Sequence, residues 1–160
     1  MSLLTKDYFT GEYVIQNIEG TNPVAESRLD LLNAIILRRE PEILKHLLGE
    51  TLYTNLITGL AELPTPAKWT NLKNQIINTT AKTSVYTGIM LYYWKNAEMQ
   101  RNTATGQTET ITPVVNPFQI ADLYNADTVL IGYLQNWIRT NIATYPEYDG
   151  QSVAKLNGLF

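Results

Sequence analysis

Residues 84–94 read SVYTGIMLYYW, and whether this apolar run crosses a membrane, extends as a strand or winds into a helix decides the class of fold. A spanning helix needs roughly 20 predominantly apolar residues, and polar residues flank this shorter stretch on both sides. Read at helical spacing over 80–101, Val85, Ile89, Tyr92 and Tyr93 fall on one side, with Tyr86, Met90, Trp94 and Ala97 beside them. An apolar sector this wide predicts a central helix, buried on several flanks. Asn78-Thr79-Thr80 supplies N-cap chemistry just before it.

The segments on either side follow the same period. Upstream, 69–78 is amphipathic, with Trp69, Leu72, Ile76 and Ile77 facing inward, and LPTPA (63–67) is the loop that starts it. A helix is expected from Val24, with Leu29, Leu32, Ile35 and Ile36 on its apolar face. Pro41 predicts a break or kink at Glu40 and a new segment over 41–48, whose stripe is Ile43, Leu44, Leu47 and Leu48. Gly49 reads as a C-cap, and 50–60 as a further short helix. The first residues, 1–23, are mixed: LLTKDYF suggests a turn of helix, EYVIQNI (12–18) alternates like a brief strand, and Glu19-Gly20-Thr21-Asn22-Pro23 ends the unit. Downstream of 102–117, Ile120, Leu123, Leu130, Leu134, Trp137 and Ile138 predict a long helix over 118–143. The turn-rich tail 144–160 reads as irregular, with an apolar Leu159-Phe160 end able to dock. The expectation is a mainly α, single-domain helical bundle over 1–160, with a short β-hairpin or extended arm between the last two long helices.

Composition narrows the functions. In 160 residues, 44% hydrophobic and 17% charged, the chain has ordinary globular content. A net charge of −3 offers no polybasic footprint for sequence-independent nucleic-acid binding. With no cysteine, disulfides, thiolate metal sites and cysteine nucleophiles are excluded. The start MSLLTKDYF lacks the basic-then-apolar pattern of a signal peptide, which predicts a soluble protein made in a cytoplasm.

Catalytic constellations are thin. The single histidine, His46, lies in Glu42-x3-His46-x3-Glu50, a spacing that places the three on one helix face and suggests a metal or acid–base cluster, as in a small metal-dependent hydrolase. Gly49 argues against it by ending the helix before Glu50, leaving a solvated edge with a Glu–His pair. Glu26 and Asp30 sit where carboxylates complement a helix start. Asp122 and Asp127 are five apart and fall on different faces of a helix. No serine has an elbow-like glycine context, and no phosphate-cradling glycine motif occurs. Arg38-Arg39 is followed at once by Glu40 and Glu42, and Tyr92-Tyr93-Trp94, although a base-stacking platform in principle, sits at core spacing. The expectation is therefore no catalytic residues, no metal and no cofactor.

The stretch TATGQTETITPVVNP (103–117) has a different character. Gly106 suits a turn, and Thr108, Thr110, Ile111, Thr112, Val114 and Val115 are β-branched, as in a strand. Pro113 confines any such strand to an edge. An arm of this kind is suited either to strand addition by a neighbouring subunit or to pairing within the chain against EYVIQNI.

Taken in order, ILKHLLGETLYTNL (43–56) with its LLGETLY pattern, a long helix containing SVYTGIMLYYW, a Thr/Gly-bearing β-like insertion and a final long helix resemble the small head–tail connector (adaptor) proteins of tailed bacteriophages and prophages. The resemblance covers roughly 25–143 and rests on architecture. It implies a structural subunit in a homo-oligomeric ring under the portal, contacting portal and tail or neck proteins, in the virion or the host bacterial cytoplasm during assembly. It carries over no catalytic residues, and places the partner contacts at Thr108, Thr110, Ile111, Thr112, Val114 and Val115. The chain departs from the family in lacking a basic, DNA-facing stripe. A helical protein-binding adaptor unrelated to phage is the third reading.

Overall fold

The computed structural model describes residues 1–104 and 117–156, with the side chains of 102–104 and 117 outside that description. Within them the chain is mainly helical: α1 (Pro23–Leu48), α2 (Glu50–Ala61), α3 (Ala67–Ile76), α4 (Thr87–Ala104) and α5 (Pro117–Thr140). The arm residues Thr108, Thr110, Ile111, Thr112, Val114 and Val115 lie outside the described residues, as does the Leu159-Phe160 end.

α1 begins where Asn22 Oδ1 accepts the Ala25 N–H at 2.9 Å, with Pro23 in the first turn. It then runs unbroken through Pro41, against the expected break at Glu40. The bond that Pro41 cannot make would end on Leu37, which is 76% exposed, so water can serve the freed carbonyl. Leu32 and Ile36 before the proline and Ile43, Leu44 and Leu47 after it enter one core, and that shared burial keeps the helix whole. Gly49 ends it with φ +86°. Its Cβ position lies 3.0 Å from the Asp149 nitrogen, so the tail presses against this joint.

α3 stops at Ile76, and the expected helix start at 80 is replaced by a small antiparallel hairpin. β1 (Ile77–Asn78) pairs with β2 (Thr83–Ser84) in the register Ile77↔Ser84, Asn78↔Thr83. Asn78 does cap, but what it caps is a turn: its Oδ1 accepts Thr80 N–H at 3.0 Å and Ala81 N–H at 2.8 Å. Lys82 at φ +54° prevents helix from starting there, so α4 begins at Thr87. EYVIQNI forms no strand. A 3-10 turn occupies Gly11–Tyr13, Asn17 sits at φ +56°, and Ile15 and Ile18 bury their side chains from an irregular wrap.

α4 packs chiefly on α5 and α1 and is the central helix expected, with Tyr86, Ile89, Met90, Leu91 and Trp94 buried around it. It runs antiparallel to α1. Arg28 reaches Glu98 (3.0 Å) at one end, and Tyr86 reaches Glu40 (2.6 Å) at the other. α5 crosses α4 at Gly88, where a Cβ would stand 2.6 Å from the Leu123 carbonyl oxygen. The tail is irregular but strapped down: Asp149 N–H donates to Leu48 O, Gln151 N–H to His46 O, and Asn125 bonds Leu156 through both its amide atoms. No helix among the described residues is long and apolar enough to cross a membrane.

Candidate functional site

Where α1, α4, α5 and the tail meet, a cleft of about 360 Å³ opens, with Ile43 and Ile89 as apolar floor and Tyr93, Tyr124, Glu42 and His46 around it. Three tyrosines cluster beside it. Tyr92 lies edge-on to Tyr93 at 5.7 Å and to Tyr124 at 5.3 Å between centroids. Burial, and then the neighbouring Tyr93 and Tyr92, raises the Tyr124 phenol above its ordinary range. Arg39 bridges the rim, its guanidinium 4.6 Å above the Tyr93 ring and 2.7 Å from a Glu42 carboxylate oxygen. The tail closes the opposite side with Val153 and Ala154, held by the His46 Nε2–Ser152 O contact at 3.2 Å.

The proposed Glu42, His46 and Glu50 cluster does not assemble. Glu42 and His46 line the same cleft, but Gly49 carries Glu50 into α2, where it pairs with Lys45 at 2.9 Å. That contact lowers the Glu50 carboxyl and raises the Lys45 ammonium from their usual ranges. Among the described residues no group of three His, Asp or Glu side chains is placed to hold a metal ion. Nor is a side-chain hydroxyl hydrogen-bonded to His46 among them. The cleft and its rim thus present ring faces, one carboxylate, one imidazole and one guanidinium.

Two buried carboxylates, Glu40 and Asp127, were passed over by periodicity alone. Glu40, 3% exposed, accepts hydrogen bonds from Leu3 N–H (3.0 Å), Leu4 N–H (2.8 Å), the Ser2 hydroxyl and the Tyr86 hydroxyl (2.6 Å). It thereby fastens the N-terminal segment to α1 and α4. Burial, then the nearby Glu40 charge, pushes the Tyr86 phenol far up. Asp127, fully buried, accepts Ile89 N–H at 2.9 Å through Oδ2, at the N-terminus of α4. Desolvation raises its carboxyl to about 7, against the lowering effect of the Ile89 and Gly88 N–H groups.

The signal for both was present. Glu40 falls between Ile36 and Ile43 on the α1 core stripe, and Asp127 between Leu123 and Ile131 on that of α5. A third buried charge set, Arg28–Glu98–Lys95, ties α1 to the far end of α4 at 3.0 and 3.5 Å. Compared with protein-family models, with curated proteins and with solved structures, the chain matches none of them.

Proposed function

We propose that this chain is a non-catalytic structural subunit of a tailed-phage or prophage particle, a head–tail connector that joins copies of itself into a ring under the portal. The observation that carries the reading is the outer face of α5. Val129 (42% exposed), Leu130 (40%) and Tyr133 (69%) stand with Ala126 at i, i+3, i+4 and i+7, an apolar stripe turned to solvent on a helix whose other face is core. The same helix begins directly after the β-branched stretch with Thr108, Thr110, Ile111, Thr112, Val114 and Val115. An outward stripe and an adjoining β-branched stretch suit contact with a neighbouring copy and with portal or tail proteins. The resemblance in element order supports the connector in particular.

Cryo-electron microscopy of particles encoded beside this gene tests the reading, with density for this chain expected as a ring between portal and tail. An unrelated chain filling that position overturns it. The second reading, a helical adaptor outside phage, is favoured by the tyrosine-lined cleft. Neighbouring genes for portal, capsid and tail proteins would decide for the first, and their absence for the second.

A further inference from the structure

We propose that Asp127 makes the crossing of α4 and α5 a proton-sensitive joint, in which one proton gained or lost at a fully buried carboxyl changes how firmly α5 holds the first turn of α4. The geometry is specific. Oδ2 accepts the Ile89 N–H at 2.9 Å, while Oδ1, equally buried, has no hydrogen-bond partner among the described residues. Among the described residues no ion pair includes Asp127. The groups that bear on it are the Tyr13 phenol from the N-terminal turn, the Tyr124 phenol one turn back on α5, and the N–H groups of Gly88 and Ile89 from α4. Both phenols are raised from their ordinary value and add no counter-charge, and no ion pair among the described residues fixes the carboxyl in its charged form.

Two opposed forces then meet at one group. The N–H groups and dipole of a helix N-terminus favour the carboxylate. Removal from water without a counter-charge favours the neutral acid, and the orphan Oδ1 adds to that side. Their near-balance brings the carboxyl to about 7, within reach of ordinary changes in pH. The neutral acid is the weaker acceptor, so protonation loosens the hold on Ile89. There is no slack at this point to hide the change: Gly88 has room for no side chain, its Cβ position lying 2.6 Å from Leu123 O and 3.1 Å from Asp127 Oδ2. Ile89 and Tyr124 line the cleft, and the Val129–Tyr133 stripe continues on the same helix. This inference stands whether or not the chain is a connector.

The test follows the Asp127 carboxyl carbon and the Gly88 and Ile89 amides of the full chain by NMR, from about pH 5 to about pH 8.5. The expected result is a carboxyl midpoint near neutrality with both amides shifting at that same midpoint, and no such amide transition in Asp127→Asn. A carboxyl midpoint below about 5, or amides that ignore the carboxyl, overturns the proposal. Should Asp127→Asn fail to fold, coincidence or non-coincidence of the three wild-type titrations decides alone.

Discussion

Glu40 shows how much a single side chain can hold. Four donors converge on its buried carboxylate from two separate parts of the chain, residues 2–4 and Tyr86. Removing one donor is tolerable and removing the acceptor is not, because hydrogen bonds to a charged group contribute about 1.5–3 kcal/mol each while stranded donors carry a full desolvation penalty. Tyr86→Phe is therefore expected to lose about 1.5–3 kcal/mol. Glu40→Ala should lose about 3–5 kcal/mol, with the N-terminal residues coming free. Urea denaturation and amide exchange at Leu3 and Leu4 measure both. Asp127 acts in the other direction. Its folded carboxyl sits above the unfolded value, so the native state binds the proton more tightly. Stability is greatest below pH 3.8 on this account and is lost as pH rises towards about 7. The full loss is on the order of 4 kcal/mol for a rise from 3.8 to about 7. The difference between wild type and Asp127→Asn, measured by denaturation from about pH 4 to about pH 8, isolates it from other carboxylates. A flat difference would refute it.

At the scale of elements, two glycines in helices separate packing from propensity. Gly88 sits where α4 meets the backbone of α5, and no flexible side chain can yield there. Gly88→Ala is expected to cost about 1–3 kcal/mol through overpacking. Gly132, on the exposed face of α5, has nothing among the described residues within 4 Å of its Cβ position. Gly132→Ala should gain about 0.5–1 kcal/mol from helix propensity alone. Thermal melts of the two variants should move in opposite directions. Elements also show where sequence reading succeeds. Leu72, Ile76, Ile89, Ile120, Leu134 and Ile138 were legible as core because a 3.6-residue period survives whatever partner they meet. The boundary at 80 was not, because Asn78 offers the same side-chain acceptor to a helix start and to a turn. Pro41 misled for a related reason. Its local cost is real, but α1 lies against a core that rewards continuity on both sides of it.

At the scale of the molecule, the tail acts as a strap over the α1–α2 joint and the lower end of α5. Tyr145 is its anchor, buried to 2%, with its ring 5.6 Å from Trp137 and 6.4 Å from Trp69 and its hydroxyl donating to Lys68 O at 2.8 Å. Tyr145→Ala should cost about 3–5 kcal/mol and Tyr145→Phe only about 0.5–1.5 kcal/mol, read by denaturant midpoints. The outward stripe of α5 makes a contrasting prediction. On the proposed connector reading, Tyr133→Asp changes an exposed position and should leave the melting temperature within a few degrees, while weakening the self-association that reading requires about tenfold or more. Sedimentation of wild type and variant with the portal protein present checks it. Equal assembly by both removes the stripe from the interface.

What the sequence by itself determined was the helical class and most of the inward residues of each helix, Leu130 on the outward face of α5 being an exception, because periodicity is a local property. SVYTGIMLYYW was legible as a buried central helix on that basis, even though its first turn proved to belong to a hairpin. Only the tertiary structure decided which polar residues would be buried together. Glu40 meets Ser2 and Tyr86, and Asp127 meets the start of α4. Those meetings depend on how distant segments cross, and the energy of a charge depends on what the crossing excludes from water.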